Sequence, residues 1–346
     1  MRDEVAVPQP AVDEVLVEVA ACGINNTDIN TRQGWYSPSV TEPTDAGPTS
    51  PGATPEEAVD APSATWHREG FAFPRIQGAD VCGSVVASGG PEGEHLVGER
   101  VLVDPWVRDP ATPGDRSLAR YLGSELDGGF AEFCAVPARN VHPVESMLTD
   151  AELATIPCSW STAEHMLQRI PLEPGETIVV TGASGGVGSA LVQLANLRGV
   201  QVIAVAGADK ATRVEALGAR VVPRGPDTPA RAREVAAGTI DAVADVVGGP
   251  DVPGWLEAIR PGGSFVTSGA IAGPMVELDL RTLYLRDLDM VGATVVPEGV
   301  FADVVAHLES GRVKPVLAAT WPLEEIHEAQ EAFGAKKHVG ALAVTL

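Results

Sequence analysis

The stretch TIVVTGASGGVGS, residues 177–189, decides the fold. Four strand-forming residues run into a glycine-rich turn, and the turn runs into a helix-forming stretch. That context separates a dinucleotide-binding fingerprint from an ordinary turn. Gly182 is placed for the tight turn. Gly185 and Gly186, flanked by Ser184 and Val187, let backbone N–H groups approach a pyrophosphate, and Gly188 lets the helix pack closely on the strand. The helix N-terminus adds partial positive charge for the phosphates. Downstream, QVIAVA (201–206), a short strand near Val221, DAVADVV (241–247), GSFVTSG (263–269) and DMVGATVV (289–296) alternate with helical stretches at 186–198, 210–217, 228–237 and 255–259. Such alternation predicts an α/β fold: a Rossmann doubly wound parallel sheet over residues 147–295, with helices on both faces.

The end of the second strand bears on which nicotinamide cofactor is bound. An NAD site usually carries Asp or Glu there, bonded to the ribose 2′-hydroxyl. This strand ends Val205, Ala206, Gly207, Ala208, with Asp209 only beyond the tip and Lys210 and Arg213 following on the next helix. A small tip beside Gly207 with two cations nearby suits the 2′-phosphate of NADPH, whose charge a carboxylate would repel. The alternative is that both cations are ordinary solvated helix residues, and Asp209 is a contrary sign.

Upstream the pattern is different. VDEVLVEVA (12–20) alternates as a half-buried strand, and residues 81–87 and 100–103 read as strands after glycine-containing turns. Many short strands punctuated by Gly and Pro predict a β-rich domain over residues 1–146. Residues 38–63, rich in Pro, Ser, Thr, Gly and acid, read as a long surface loop, and 38–72 as a candidate lid. A helix is expected from Leu148 to Ile156, starting at Asp150. The tail, 296–346, offers helices at 300–310 and 323–333 and a closing strand, ALAVT. The net charge of −23 excludes nucleic acid and anionic membrane surfaces as natural partners. No apolar run reaches the roughly 20 residues that span a bilayer, and Met1-Arg-Asp-Glu lacks a secretory pattern, so the chain reads as cytoplasmic. The four cysteines, Cys22, Cys82, Cys134 and Cys158, form no C-x-x-C pair and read as buried small residues.

Taken together, ACGINNTDINTRQGWY (21–36), PRIQGADVCG (74–83), GERV (98–101), DGGFAEF (127–133), the fingerprint at 181–189 and PGGSFV (261–266) resemble the medium-chain dehydrogenase/reductases. The likeness is to the zinc-free branch that includes quinone oxidoreductases and enoyl reductases, and it covers nearly the whole chain. It implies a GroES-like β-rich catalytic domain, a Rossmann domain, a C-terminal segment that returns to the catalytic domain, and an active site in the cleft between them. It adds Thr162, Val247, Gly248, Ser268 and Gly269 to the expected cofactor contacts. It also implies a homodimer paired through the last Rossmann strand, near Val291 to Val296. The family ordinarily has a further strand or two before VDEVLVEVA, so the chain reads as shortened or its start as misassigned.

The departures carry the chemistry. Zinc alcohol dehydrogenases of this family place a cysteine where this chain has Asn25, and Gly-His-Glu where it has Gly78, Ala79 and Asp80. Cys158 alone matches a zinc-ligand position, and a catalytic zinc needs about three protein ligands. Asp80 and His165 are the remaining donors, and the reading is that no metal is bound. The structural-zinc lobe is also missing, since residues 104–127 contain no Cys. Without a Lewis acid, reduction of an activated acceptor remains feasible: a C=C conjugated to a carbonyl, or a quinone. Tyr36 matches the tyrosine implicated in zinc-free enoyl reductases and is the candidate proton donor, with a packed structural Tyr as the alternative. Asn25 is a candidate amide donor to the substrate oxygen, or else a turn-stabilising residue. Thr27 matches the hydroxyl of the family's proton relay, and Asp28 is expected to orient the turn. Trp35, Trp66, Phe71 and Trp106 are candidate pocket walls. Two other readings stay open: NADPH-dependent reduction of a C=N or carbonyl on a specialised metabolite, and a nucleotide-binding protein with little turnover.

Overall fold

The computed structural model describes residues 4–44 and 73–346. Trp66 and Phe71, and most of the candidate lid 38–72, lie outside the described residues. Fifteen strands are described: β1 (Glu14–Ile24), β2 (Asp80–Ser88), β3 (Arg100–Val103), β4 (Trp106–Val107), β5 (Arg120–Tyr121), β6 (Phe133–Pro137), β7 (Val141–Pro143), β8 (Thr177–Val180), β9 (Gln201–Ala206), β10 (Arg220–Pro223), β11 (Ala242–Asp245), β12 (Ser264–Thr267), β13 (Asp289–Gly292), β14 (Leu317–Pro322) and β15 (Ala341–Thr345).

The fingerprint strand β8 lies inside a six-stranded sheet of order β10-β9-β8-β11-β12-β13. All five pairings are parallel. Chain order therefore reverses between β8 and β11, and in open parallel sheets ligands bind at such a switch point, beyond the carboxyl ends of the strands. β8 is buried along its whole length, as an uninterrupted TIVV run predicts for a strand covered on both faces. The edge strand β13 is mostly exposed.

The second sheet runs β14-β15-β1-β2-β3-β7, with β6 also paired to β1. The eleven-residue β1 is its spine. It pairs antiparallel with β2, β6 and β15. The last thirty residues thus return to the domain that the first 143 build, and Ile326, Ala329 and Phe333 of helix Ile326–Gly334 pack into its core. Within the segment expected to lack a zinc lobe, β4 and β5 form a small antiparallel ladder of their own.

Two expectations need correction. The last Rossmann strand, expected over residues 289–296, spans only Asp289–Gly292. The helix expected from Leu148 to Ile156 is only a short turn, Asp150–Leu153, capped by Thr149, whose hydroxyl and backbone exchange hydrogen bonds with Glu152. A second helix, Pro157–Gln168, follows and was not read from the sequence. Pro157 at its start supplies a preset φ and needs no N–H partner. Ile156 before it offers no capping side chain, and burial nearly all round removes the amphipathic stripe that would have announced it. Among the described residues, no helix is long and apolar enough to cross a membrane.

Candidate active site

The cradle follows from steric limits on three glycines. Gly182 adopts φ +57°, a left-handed conformation that favours glycine. A Cβ on Gly188 would sit 2.3 Å from the Gly182 carbonyl oxygen, so the helix rests directly on the turn. Gly185 caps helix Gly186–Leu197, and a Cβ there would meet only the Gly182 oxygen, at 3.5 Å. Backbone N–H groups at that helix start are therefore open to an anion. Facing the turn, Asp245 at the end of β11 accepts from Thr181 Oγ1 at 2.6 Å and from the Gly248 N–H at 2.8 Å. This buried carboxylate shapes the Val247–Gly248 loop, and the sequence reading did not identify it. Ser268 N–H donates to the Asp245 carbonyl at 3.1 Å, and Gly269 lies so close to Val246 that a Cβ would stand 2.9 Å from its carbonyl oxygen. Val247, Gly248, Ser268 and Gly269 are thus gathered with the fingerprint at the switch point.

At the tip of β9 the expected cations are present but engaged. Lys210 Nζ donates to the Lys336 carbonyl at 2.5 Å, and Arg213 to the Val339 carbonyl at 3.3 Å. Lys210 is half-buried by this contact, while Arg213 remains exposed. Asp209 does approach the tip: its Oδ1 lies 2.6 Å from where a Gly207 Cβ would stand.

The candidate catalytic turn is built on helix Asn26–Arg32. Asn25 caps it, and its backbone N–H donates to Asp28 Oδ2 at 2.8 Å. The other Asp28 oxygen accepts from Gly78 N–H at 3.3 Å. Asp28 therefore orients the turn, as expected. Asn25 Nδ2 donates to Asp80 Oδ2 at 2.8 Å, and the Cys158 N–H donates to Asp80 Oδ1 at 2.6 Å. One buried carboxylate thus ties the turn to the helix that carries Cys158 and, one turn on, Thr162. Burial pushes both Asp28 and Asp80 up to about 7, and each keeps part of its charge through the hydrogen bonds it accepts. Burial likewise pushes the Cys158 thiol and the Tyr36 phenol above their ordinary ranges.

Tyr36 belongs to this cluster. Its phenol is hydrogen-bonded with Asn30 and faces Cys158 and Asp28, and its ring meets Trp35 edge-on with centroids 5.5 Å apart. The Thr27 hydroxyl is buried without a partner of good geometry among the described residues and lies against the Cys158 thiol. Asn25, Thr27 and Tyr36 are thus brought together. A second residue that sequence reasoning missed is Tyr121, on β5: its hydroxyl also bonds with the Cys158 thiol, and its ring meets Trp106 with centroids 4.6 Å apart. Only its position in the segment that replaces the zinc lobe could have drawn attention to it. Arg108 pairs with Asp104 at 2.9 Å and donates to the Val296 carbonyl at 2.5 Å, which pins this hairpin across the cleft. Trp106 packs with Ala79, Tyr121, Val296 and Val300 in a small core cluster of its own.

At the positions where the resemblance places zinc ligands in related alcohol dehydrogenases, this chain has an amide at Asn25 and a methyl at Ala79. Among the described residues, no group of three His, Cys, Asp or Glu side chains is arranged to hold a metal ion. His165 is buried, and neither ring nitrogen has a hydrogen-bond partner among the described residues.

A parallel sheet with a glycine cradle at its switch point, joined to a β domain through the hydrogen-bonded cluster around Asp80 and Cys158, is the arrangement of a pyridine-nucleotide oxidoreductase. Comparison with known proteins agrees. Residues 57–146 match the alcohol dehydrogenase GroES-like domain, and residues 186–310 match the zinc-binding dehydrogenase family. A solved structure from Sinorhizobium meliloti, provisionally described as an alcohol dehydrogenase, is 44% identical, covers 99% of this chain and 91% of that one, and superposes with a TM-score of 0.86. An NAD-dependent alcohol dehydrogenase of Saccharolobus solfataricus is 26% identical over 97% of this chain and 94% of its own. An acryloyl-coenzyme A reductase of Sulfurisphaera tokodaii is 26% identical over 99% of this chain and 95% of its own. The chain belongs to the medium-chain dehydrogenase/reductase superfamily.

Proposed function

We propose that this protein is a zinc-independent, NADPH-dependent reductase of a C=C conjugated to a carbonyl, or of a quinone. The observation that supports it most is the hydrogen bond from Asn25 to Asp80: the position where zinc relatives carry a cysteine is held by an amide locked in place by a buried carboxylate. The glycine cradle fits a dinucleotide, because a Cβ at Gly182 or Gly188 would fill the space its turn requires. When bound, the reduced nicotinamide supplies a hydride to the electron-poor carbon of the acceptor. Asn25 and Thr27 then stabilise negative charge on the conjugated oxygen by donating hydrogen bonds. Tyr36 delivers the proton that completes the reduction, and burial keeps its phenol protonated at neutral pH.

The decisive assay follows NADPH absorbance with enones, enoyl thioesters and quinones, before and after prolonged chelation, on protein whose zinc has been measured. The expected outcome is turnover with at least one of these acceptors, unchanged by chelation, and well under one zinc per chain. Turnover confined to alcohols with NAD⁺, or activity lost on chelation and restored by zinc, would sink the proposal in favour of alcohol dehydrogenation.

We also propose a homodimer joined edge to edge at β13. The support is that β13 ends its sheet with Met290 exposed, and that Leu285 and Tyr284, just upstream in the chain, are 68% and 61% exposed. An unpaired apolar edge is a template for a second strand. Sedimentation should show a dimer that Met290→Asp converts largely to monomer. A monomer in the unmodified protein refutes this pairing.

A further inference from the structure

In a chain of net charge −23, five nitrogen-bearing side chains of basic type collect at one place. Lys210 and Arg213 come from the Rossmann domain, with Arg224 facing Lys210 from just beyond β10. Lys336 and His338 come from the segment that leads from helix Ile326–Gly334 to β15, and His338 faces Lys336, Lys210 and Arg213. The two groups are physically joined. The carbonyl of Lys336 accepts from Lys210, the carbonyl of Val339 accepts from Arg213, and the Gly340 N–H donates to the Ser184 carbonyl of the glycine cradle at 2.8 Å. Lys336 Nζ stands 3.5 Å over the Phe333 ring and donates to Asn26 Oδ1 at 2.8 Å. Asn26 is the first residue of the helix that carries the catalytic turn.

Lys336 adopts φ +51° just after the helix end. Glycine is the usual residue at such a left-handed cap, because a side chain there is strained. A lysine in this position supplies an ammonium that glycine would not. The neighbouring His338 ring lies 5.5 Å from Phe333. Burial first, and then Lys336, Lys210 and Arg213, hold it down to about 4. It is therefore a neutral imidazole at pH 7, with one N–H to donate. The nearest acid on these elements, Asp209, faces Lys210.

Like-charged groups brought together without an equal number of carboxylates make a site for an anion. We infer that the crossing segment 336–340 completes the adenosine end of the cofactor site: its carbonyls aim Lys210 and Arg213, and its own Lys336 and His338 side chains add donors, so that a ribose 2′-phosphate is held between the two domains. This deepens the NADPH reading and rests on it. It gives the C-terminal crossing a role in specificity, and through Asn26 it mechanically links the 2′-phosphate to the catalytic turn.

The test uses the full chain and two matched pairs of probes: NADP⁺ with NAD⁺, and 2′,5′-ADP with 5′-AMP. Dissociation constants are measured by calorimetry for the unmodified protein and for Lys336→Met, His338→Phe and Lys210→Ala. The expected result is a preference for the 2′-phosphorylated member of each pair, cut about tenfold in both Lys336→Met and His338→Phe, as for loss of a charge-assisted or well-placed hydrogen bond. Affinity for NAD⁺ and 5′-AMP should not change, and this also shows that the variants are folded. A preference untouched in both variants but lost in Lys210→Ala overturns the inference and leaves the NADPH reading standing. Equal weakening of both members of each pair overturns it as well, since that marks a structural role. No preference in the unmodified protein removes the NADPH reading and the inference together.

Discussion

Gly188→Ala should abolish useful cofactor binding and lower the melting temperature. The added methyl would stand 2.3 Å from the Gly182 oxygen, 2.6 Å from Ala183 Cα and 2.7 Å from the Gly182 carbonyl carbon. All three are backbone atoms of a turn that cannot rotate away as a side chain would. Helix Gly186–Leu197 must therefore lift from β8, or the turn must open. Overpacking of this kind typically costs about 1–3 kcal/mol in stability. Displacing the N–H groups that would meet the pyrophosphate should weaken NADPH by at least about tenfold, which corresponds to roughly 1.4 kcal/mol. Gly185→Ala is the control for the fold, because its methyl has no neighbour closer than 3.5 Å and its φ of −86° suits any residue. It should keep the melting temperature of the unmodified protein. Thermal melts and fluorescence titrations of the two variants decide the matter, and equal behaviour would show that the cradle is not packed as described.

That cradle was legible in the sequence because short-range sterics write it. A strand, a glycine turn and a helix start are contiguous in the chain, and each glycine has its own geometric reason. The positions of the parallel strands along the chain were legible for the same reason, since each strand announces itself by a local apolar run, while their order across the sheet came only from the fold. What stayed hidden depends on contacts between segments distant in the chain. Asp80 and Cys158 are 78 residues apart, and only folding shows that one carboxylate oxygen accepts the other's N–H. Lys210 and Lys336 are 126 residues apart, so the sequence showed cations near a strand tip but not the carbonyls that aim them. Tyr121 was overlooked because nothing in a two-residue strand signals that it turns toward the thiol of Cys158. Helix Pro157–Gln168 was overlooked because a helix buried nearly all round lacks the periodic contrast that marks an amphipathic one. The residue identities at Asn25, Thr27 and Tyr36 were readable, and their convergence on Cys158 needed the fold.

The convergence also sets the expected pH behaviour of the reaction and of its most damaging conservative variant. Tyr36→Phe keeps the ring against Trp35 and removes only the hydroxyl. If that hydroxyl delivers the proton, kcat should fall about 100-fold, the low end of what a positioned general acid contributes. The KM for NADPH should hold, because the cradle is elsewhere. Burial raises the Tyr36 phenol, so it should not limit activity on the alkaline side up to pH 9. Within this cluster, burial pushes both Asp80 and Asp28 up to about 7. They feel one another, so any inflection belongs to the pair. As drawn, Asn25 donates to Asp80 Oδ2, and this requires that oxygen to be unprotonated. Protonation would leave the amide free to turn and present its carbonyl to the substrate oxygen. Activity should therefore rise with pH between about 6 and 8, and Asp80→Asn should flatten that rise. Stability should move the opposite way. Both carboxyls are raised in the folded state, so their favourable contribution is complete below the ordinary carboxylate range and is lost as pH rises through about 7. A pH–rate profile measured with saturating NADPH, beside melting temperatures over the same range, tests both signs at once. Activity that falls from pH 6 to 8, or a Tyr36→Phe enzyme as fast as its parent, would remove the amide and the phenol from the chemistry.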